Sequence, residues 1–223
     1  MIFAGIVAGG TGNRMGADIP KQFLDLDGKP IIIHTAQKFL SHPLVDKLII
    51  GVHPDWTEHM EELNRKYLNS AALITPGGAE RNDTIVRIIR CAFANGGEME
   101  DILLTHDAVR PFVTERMITD SINAMDTCEI CTTAVPATDT IVVSEDGESV
   151  SDFPLRKTMF CVQTPQTFKM QRFLEMLSLV PEEERALITY ACKLFHMNGI
   201  TVRLIKGDAS NIKITYPSDL KKC

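Results

Sequence analysis

The chain has 223 residues, 44% hydrophobic and 23% charged, a balance that fits one large globular domain and excludes disorder as a global description. Its formal net charge of -6 argues against a general nucleic-acid binder, whose phosphate-tracking surface is usually basic. A small anionic ligand needs only a few placed cations and stays open.

The first strand candidate covers residues 2–7, and residues 47–52, 71–75, 101–105 and 130–135 are four more β-rich apolar runs. Helix-period segments sit among them at 31–40, 56–68, 83–94 and 115–125. This alternation predicts an α/β fold of Rossmann-like type: a mainly parallel sheet with helices on both faces. After Pro136 the pattern changes. Residues 140–144 and 149–151 flank Glu145-Asp146-Gly147-Glu148, an Asp-Gly turn signal that predicts a hairpin projecting from the sheet as a β-arm at about 137–157. Such an arm is marginal alone and packs on something, often a second subunit. The last third predicts helices at 170–179 and 182–196 and a strand at 201–205, with neither linker nor repeat, so 1–223 reads as a single domain.

No apolar stretch approaches the ~20 residues that span a bilayer, so no membrane partner is expected. Met1 to Gly10 carries no basic leader, and the expected location is the cytoplasm. Cys128-Glu-Ile-Cys131 is a CxxC without a second ligand pair at zinc spacing. The segment 129–135 reads as a strand, which turns alternate side chains to opposite faces, so reduced structural thiols are expected.

The first strand runs into Gly9-Gly10-Thr11-Gly12-Asn13-Arg14-Met15-Gly16, where glycines let backbone N–H groups approach a phosphate. No Gly-Lys-Ser/Thr follows, and Met15 occupies the place of the third glycine in a dinucleotide fingerprint. Arg14 and Lys21 bracket this loop and are suited to neutralising a triphosphate. Thr105-His106-Asp107-Ala108-Val109-Arg110-Pro111 closes a predicted strand, which places the Asp107 carboxylate well for Mg²⁺ and Arg110 for a phosphate. His106 reads as a local hydrogen-bonding residue.

These segments, with Pro20-Lys21-Gln22-Phe23, Gly77-Gly78-Ala79-Glu80-Arg81-Asn82-Asp83-Thr84, Asp139-Thr140, Gln163-Thr164-Pro165-Gln166-Thr167-Phe168 and Asn211-Ile212-Lys213-Ile214-Thr215, resemble in order the signatures of the methylerythritol-phosphate/ribitol-phosphate cytidylyltransferases. The resemblance covers nearly the whole chain. It implies a nucleotide-diphospho-sugar transferase type of fold, CTP and a polyol phosphate as substrates, Mg²⁺ or another divalent cation, and a homodimer joined through the β-arm. It further implies catalytic roles for Arg14, Lys21 and Lys213 at the CTP phosphates, and Asp107 as the metal carboxylate. Ala8, Gly9, Gly10, Thr11, Gly12, Gly78, Arg81, Asn82, Thr84, Asp107, Ala108 and Arg110 match the CTP site. Thr140, Arg156, Thr164 and Thr189 match the acceptor site, with Thr140 and Arg156 reaching across from a partner's arm.

Segments such as Arg81-Asn82-Asp83-Thr84-Ile85 and Ala137-Thr138-Asp139-Thr140-Ile141-Val142 resemble more closely the ribitol 5-phosphate branch, which serves wall or capsular polymers. The alternative acceptor is methylerythritol 4-phosphate, of isoprenoid synthesis. One departure stands out: Thr189-Tyr190-Ala191 has tyrosine where the family usually carries an acidic residue. A CTP-binding homologue with little turnover, a nucleotidyltransferase for another base or sugar and, more distantly, a dehydrogenase are the competing readings.

Overall fold

A computed structural model describes residues 1–10, 19–185 and 187–222. Thr11, Gly12 and Arg14, expected at the phosphates, lie outside the described residues.

Among the described residues, seven strands form the main sheet: β1 (Ile2–Ala8), β4 (Lys47–Val52), β5 (Ala72–Pro76), β6 (Ile102–Asp107), β7 (Ile130–Pro136), β8 (Phe160–Lys169) and β9 (Arg203–Lys206). Their spatial order is β5-β4-β1-β6-β8-β7-β9. A small hairpin, β2 (Asp25–Leu26) with β3 (Lys29–Pro30), turns at Asp27-Gly28. The pairs β1–β4, β1–β6, β4–β5 and β7–β9 are parallel, whereas β8 runs antiparallel to both β6 and β7. The sheet is therefore mainly parallel, as the alternation predicts.

Strand alternation sorts the core into two layers. Ala4, Ile6 and Ala8 of β1 and Leu48, Ile50 and Val52 of β4 face one side. There they meet helices α1 (Ile31–Leu40), α2 (Thr57–Leu68) and α4 (Glu115–Asn123) through Phe39, Met60 and Met117. Phe3 and Ile49 point the other way, against α3 (Arg81–Ala94), α5 (Met170–Ser178) and α7 (Ala191–Met197), through Ile88, Phe173 and Phe195. Each of the buried Ile, Leu, Val, Phe and Met side chains among these contributes ~1.5–3 kcal/mol relative to exposure. Gly51 lets α3 lie close, since a Cβ there would stand 2.6 Å from the Thr84 methyl.

The structure departs from the local sequence pattern in three places. The predicted helix at 182–196 is two, α6 (Glu182–Arg185) and α7. Between them the buried Asn82 side chain donates to the Ile188 carbonyl at 2.7 Å, drawing the chain out of helix period. The ten-residue β8 goes unpredicted because Gln163, Thr164, Pro165, Gln166 and Thr167 show no apolar alternation, although all five are buried. The predicted hairpin at 140–151 carries a single bridge, Val143 with Asp152. Around its tip the Ser144 hydroxyl accepts from Gly147 N–H, and the Asp146 carboxylate from those of Glu148 and Ser149. These side chains take the place of a ladder. No residue of the arm is buried.

Candidate active site

The order β5-β4-β1-β6 reverses direction between β1 and β6, and a ligand crevice opens at the carboxyl ends of strands at such a switch point. A cavity of about 430 Å³ lies there, lined by Ala8, Gly9 and Gly10 after β1, Lys21 and Gln22, the turn from Gly78 to Arg81 with Thr84, then Asp107, Ala108, Val109 and Lys213.

Asp107 ends β6 opposite Val7 of β1. Its carboxylate meets Arg81 Nη2 at 3.3 Å, Arg110 Nε at 3.3 Å and Lys213 Nζ at 3.0 Å. Burial works against the charge of Asp107, but Arg81, Lys213 and Arg110 together outweigh it and hold the carboxyl well below the usual carboxylate range. Three positive charges against one negative leave two in surplus. Arg81 opens α3, where a cation opposes the helix dipole. Helix stability does not call for it there; an anion would.

Each member is propped from behind. The Asp107 N–H donates to the hydroxyl of Thr164, itself fully buried. His106 Nε2 donates to the Arg110 carbonyl at 3.1 Å, and burial first of all pushes its pKa down to about 4, so the ring is neutral near pH 7. It is the local hydrogen-bonding residue expected. Arg110 Nη1 reaches the Asn211 carbonyl at 2.7 Å, and the Ile214 N–H donates to Val109 O. Those bonds lay the C-terminal segment along the 107–110 turn and bring Lys213 over Asp107. Lys21 Nζ donates to the Ile214 carbonyl at 3.1 Å, joining the same assembly.

The glycine turns are held as firmly. Gln22 is buried, and its amide donates to Ala8 O at 2.9 Å and Gly10 O at 3.0 Å. Sequence reasoning gave Gln22 no role; its place two residues after Pro20 was the available signal. The Gly78 N–H donates to Thr84 Oγ1, and a Cβ on Gly78 would fall 2.1 Å from Asp83 Cβ.

A family model described as IspD, 2-C-methyl-D-erythritol 4-phosphate cytidylyltransferase, matches residues 2–223. The chain belongs to the IspD family. Ribitol-5-phosphate cytidylyltransferases of Streptococcus pneumoniae strains ATCC 700669 and G54 are each 46% identical to it over 226 residues, covering 99% of this chain and 96% of theirs. Among solved structures, the 4-diphosphocytidyl-2C-methyl-D-erythritol synthase of Anaerococcus prevotii superposes with a TM-score of 0.82 at 25% identity, over 99% of this chain and 93% of that one. The Francisella tularensis 2-C-methyl-D-erythritol 4-phosphate cytidylyltransferase (IspD) gives 0.83 at 25%, over 99% and 97%.

Of the residues expected from the resemblance to the IspD family, the structure gathers Ala8, Gly9, Gly10, Lys21, Gly78, Arg81, Thr84, Asp107, Ala108 and Lys213 around one cavity. Asn82, Arg110 and Thr164 are buried supports behind that lining. Thr140, Arg156 and Thr189 are exposed and do not line it. Cys128 and Cys131 donate to the carbonyls of Ala124 and Ser121, and burial pushes the Cys131 thiol up to about 12.

Proposed function

We propose that this protein transfers CMP from CTP to D-ribitol 5-phosphate, yielding CDP-ribitol and pyrophosphate. The observation that carries the reading is the surplus of positive charge around Asp107, set beside backbone turns at the switch point of the sheet. Full-length identity of 46% to ribitol-5-phosphate cytidylyltransferases supports ribitol 5-phosphate as the acceptor.

The acceptor phosphate is largely ionised near pH 7, because its second pKa lies near ~6, and needs no general base. One of its oxygens forms a bond to the α-phosphorus of CTP while the bond from that phosphorus to the bridging oxygen breaks, and the electron pair leaves with pyrophosphate. The protein's task is to position and neutralise, which Arg81, Lys213 and Lys21 do from three segments of chain. Gly78, Thr84 and the turn at Gly9 and Gly10 shape the wall for the nucleoside and phosphates. Arg110 and Thr164 fix Asp107.

Asp107 is also the candidate magnesium ligand. Among the described residues no group of three or more His, Cys, Asp or Glu could hold a metal alone. A hard carboxylate ringed by cations fits Mg²⁺ only in company with nucleotide phosphate oxygens, the usual coordination of that ion. A cation bound there would neutralise charge on the transferring phosphoryl group.

The exposed apolar arm supports a homodimer. Phe153 is 67% and Leu155 61% exposed, with Val142, Val143 and Val150 near them in sequence. A second subunit is the partner such a surface calls for; Thr140 and Arg156 would then serve the neighbouring acceptor site. No helix among the described residues is long and apolar enough to cross a membrane, and we place the enzyme in the cytoplasm.

The family's own description and the solved relatives favour a second acceptor, 2-C-methyl-D-erythritol 4-phosphate. Pyrophosphate release from CTP with the two acceptors in parallel tests the reading. Preference for ribitol 5-phosphate is expected. Preference for methylerythritol 4-phosphate would overturn the acceptor, and CTP binding without turnover on either would overturn the enzymatic reading.

A further inference from the structure

Tyr190, the residue before α7, is half-buried, and its ring faces two of the cations around Asp107. The ring centroid lies 5.2 Å from Arg81 Cζ and 5.9 Å from Lys213 Nζ. Arg81 comes from the start of α3 and Lys213 from the C-terminal segment, so one aromatic face spans two separate pieces of the site. Arg81 Nη1 is buried and has no hydrogen-bond acceptor among the described residues, although Nη2 holds Asp107. Part of that guanidinium is thus kept dry without an anion to satisfy it, a costly arrangement unless something else attracts the charge or a ligand completes it.

An aromatic ring attracts a cation through its quadrupole and adds no formal charge. The acidic residue usual in the family at position 190 would also hold Arg81 and Lys213, but it would lower the surplus positive charge by one. We propose that Tyr190 is a positioning residue for the nucleotide's phosphates: its π face holds Arg81 and Lys213 toward the cavity and leaves their charge available. The inference rests on the cavity being the nucleotide site and deepens that reading. It assigns the ring, not the hydroxyl, as the working part.

The test uses the full-length protein and its Tyr190→Phe, Tyr190→Leu, Tyr190→Met and Tyr190→Asp variants, each first shown to keep its fold by circular dichroism. Leu and Met are independent non-aromatic replacements, so failure of one to fold leaves the other. The primary readout is the Kd of inorganic pyrophosphate by calorimetry at fixed ionic strength without divalent metal. The Phe variant is expected within about 2-fold of wild type, and Leu and Met about 5- to 20-fold weaker, the size of two partly desolvated cation–π contacts. The Asp variant is expected to be weaker than Phe by about 10-fold or more, because its carboxylate competes with the ligand. In turnover assays KM for CTP rises in step in the non-aromatic variants, while KM for the acceptor stays within about 2-fold.

Leu and Met binding pyrophosphate like wild type, Phe as weak as Leu, or Asp as tight as Phe would each overturn the proposal. So would a wild type that binds no pyrophosphate. Failure of the cytidylyltransferase reading has a different signature: wild type would show no preference for CTP over UTP and no acceptor-dependent turnover, whatever the ratio between Phe and Leu.

Discussion

Replacing Asp107 with asparagine keeps the size of the side chain and removes a carboxylate that faces three cations. Arg110 is 8% exposed and Arg81 17%, so their charges would lose a buried counter-ion. Breaking a buried pair from one side costs about 3–5 kcal/mol. Lys213, at 35%, can turn toward water and adds roughly 1 kcal/mol at most. For a chain of this length about 1 kcal/mol corresponds to 2–4 °C, so Tm is expected to fall by roughly 10 °C. The same substitution raises the surplus charge from two to three. Pyrophosphate without metal is therefore expected to raise the variant's Tm by more than it raises that of wild type, while metal-dependent turnover falls about 100-fold or more. Differential scanning fluorimetry with and without pyrophosphate reads the first two quantities and a coupled pyrophosphate assay the third. An unchanged Tm, or a smaller pyrophosphate shift in the variant, would refute the charge-surplus argument.

Three other perturbations address separate parts of the structure. Burial lowers the His106 pKa from 6.5 to about 4, so between those values the unfolded chain binds a proton that the folded one refuses. Stability is then full above pH 6.5 and declines as pH falls toward 4, by on the order of 3 kcal/mol. Urea titrations of wild type and His106→Gln from pH 7.5 to 4.5 are expected to show a shallower acid loss in the variant; parallel curves would count against it. Gly78→Ala places a methyl 2.1 Å from Asp83 Cβ, so the turn must move. The expected result is a CTP KM raised about 10-fold or more with the acceptor KM little changed, and normal CTP kinetics would show that the turn is not part of the nucleotide wall. Phe153→Glu puts a charge on the exposed arm and is expected to shift a dimer toward monomer in light scattering at micromolar concentration; a monomeric wild type would remove the arm's assigned role.

The parallel half of the fold was readable because its strands are short apolar runs separated by strongly periodic helices. The segments 31–40 and 47–52 coincide with α1 and β4. Reading failed where tertiary bonding overrode local pattern. β8 is a central strand whose buried stretch at 163–167 consists of glutamines, threonines and a proline, and its glutamine side chains bond to neighbours: Gln163 to Asp208 and Asn211, Gln166 to Thr132 and Cys192. The break before α7 depends on Asn82, more than 100 residues away in sequence. In the site, Asp107 was legible as a carboxylate at a strand end, whereas Arg81 and Lys213 came only from the resemblance to the family. The support from Gln22 and the contacts of Tyr190 were not legible, because both arise from three-dimensional neighbours and Tyr190 breaks the pattern it sits in.

The most direct test of nucleotidyl transfer is ³¹P NMR of a reaction containing the enzyme, CTP, Mg²⁺ and ribitol 5-phosphate. Attack at the α-phosphorus predicts a new pair of diphosphate-diester resonances together with free pyrophosphate in equal amount. Formation of CDP, with ribitol 5-diphosphate if the acceptor attacks or with orthophosphate if water does, would place the attack at the γ-phosphorus and contradict the assignment of Arg81, Lys213 and Asp107 to the transferring phosphoryl group.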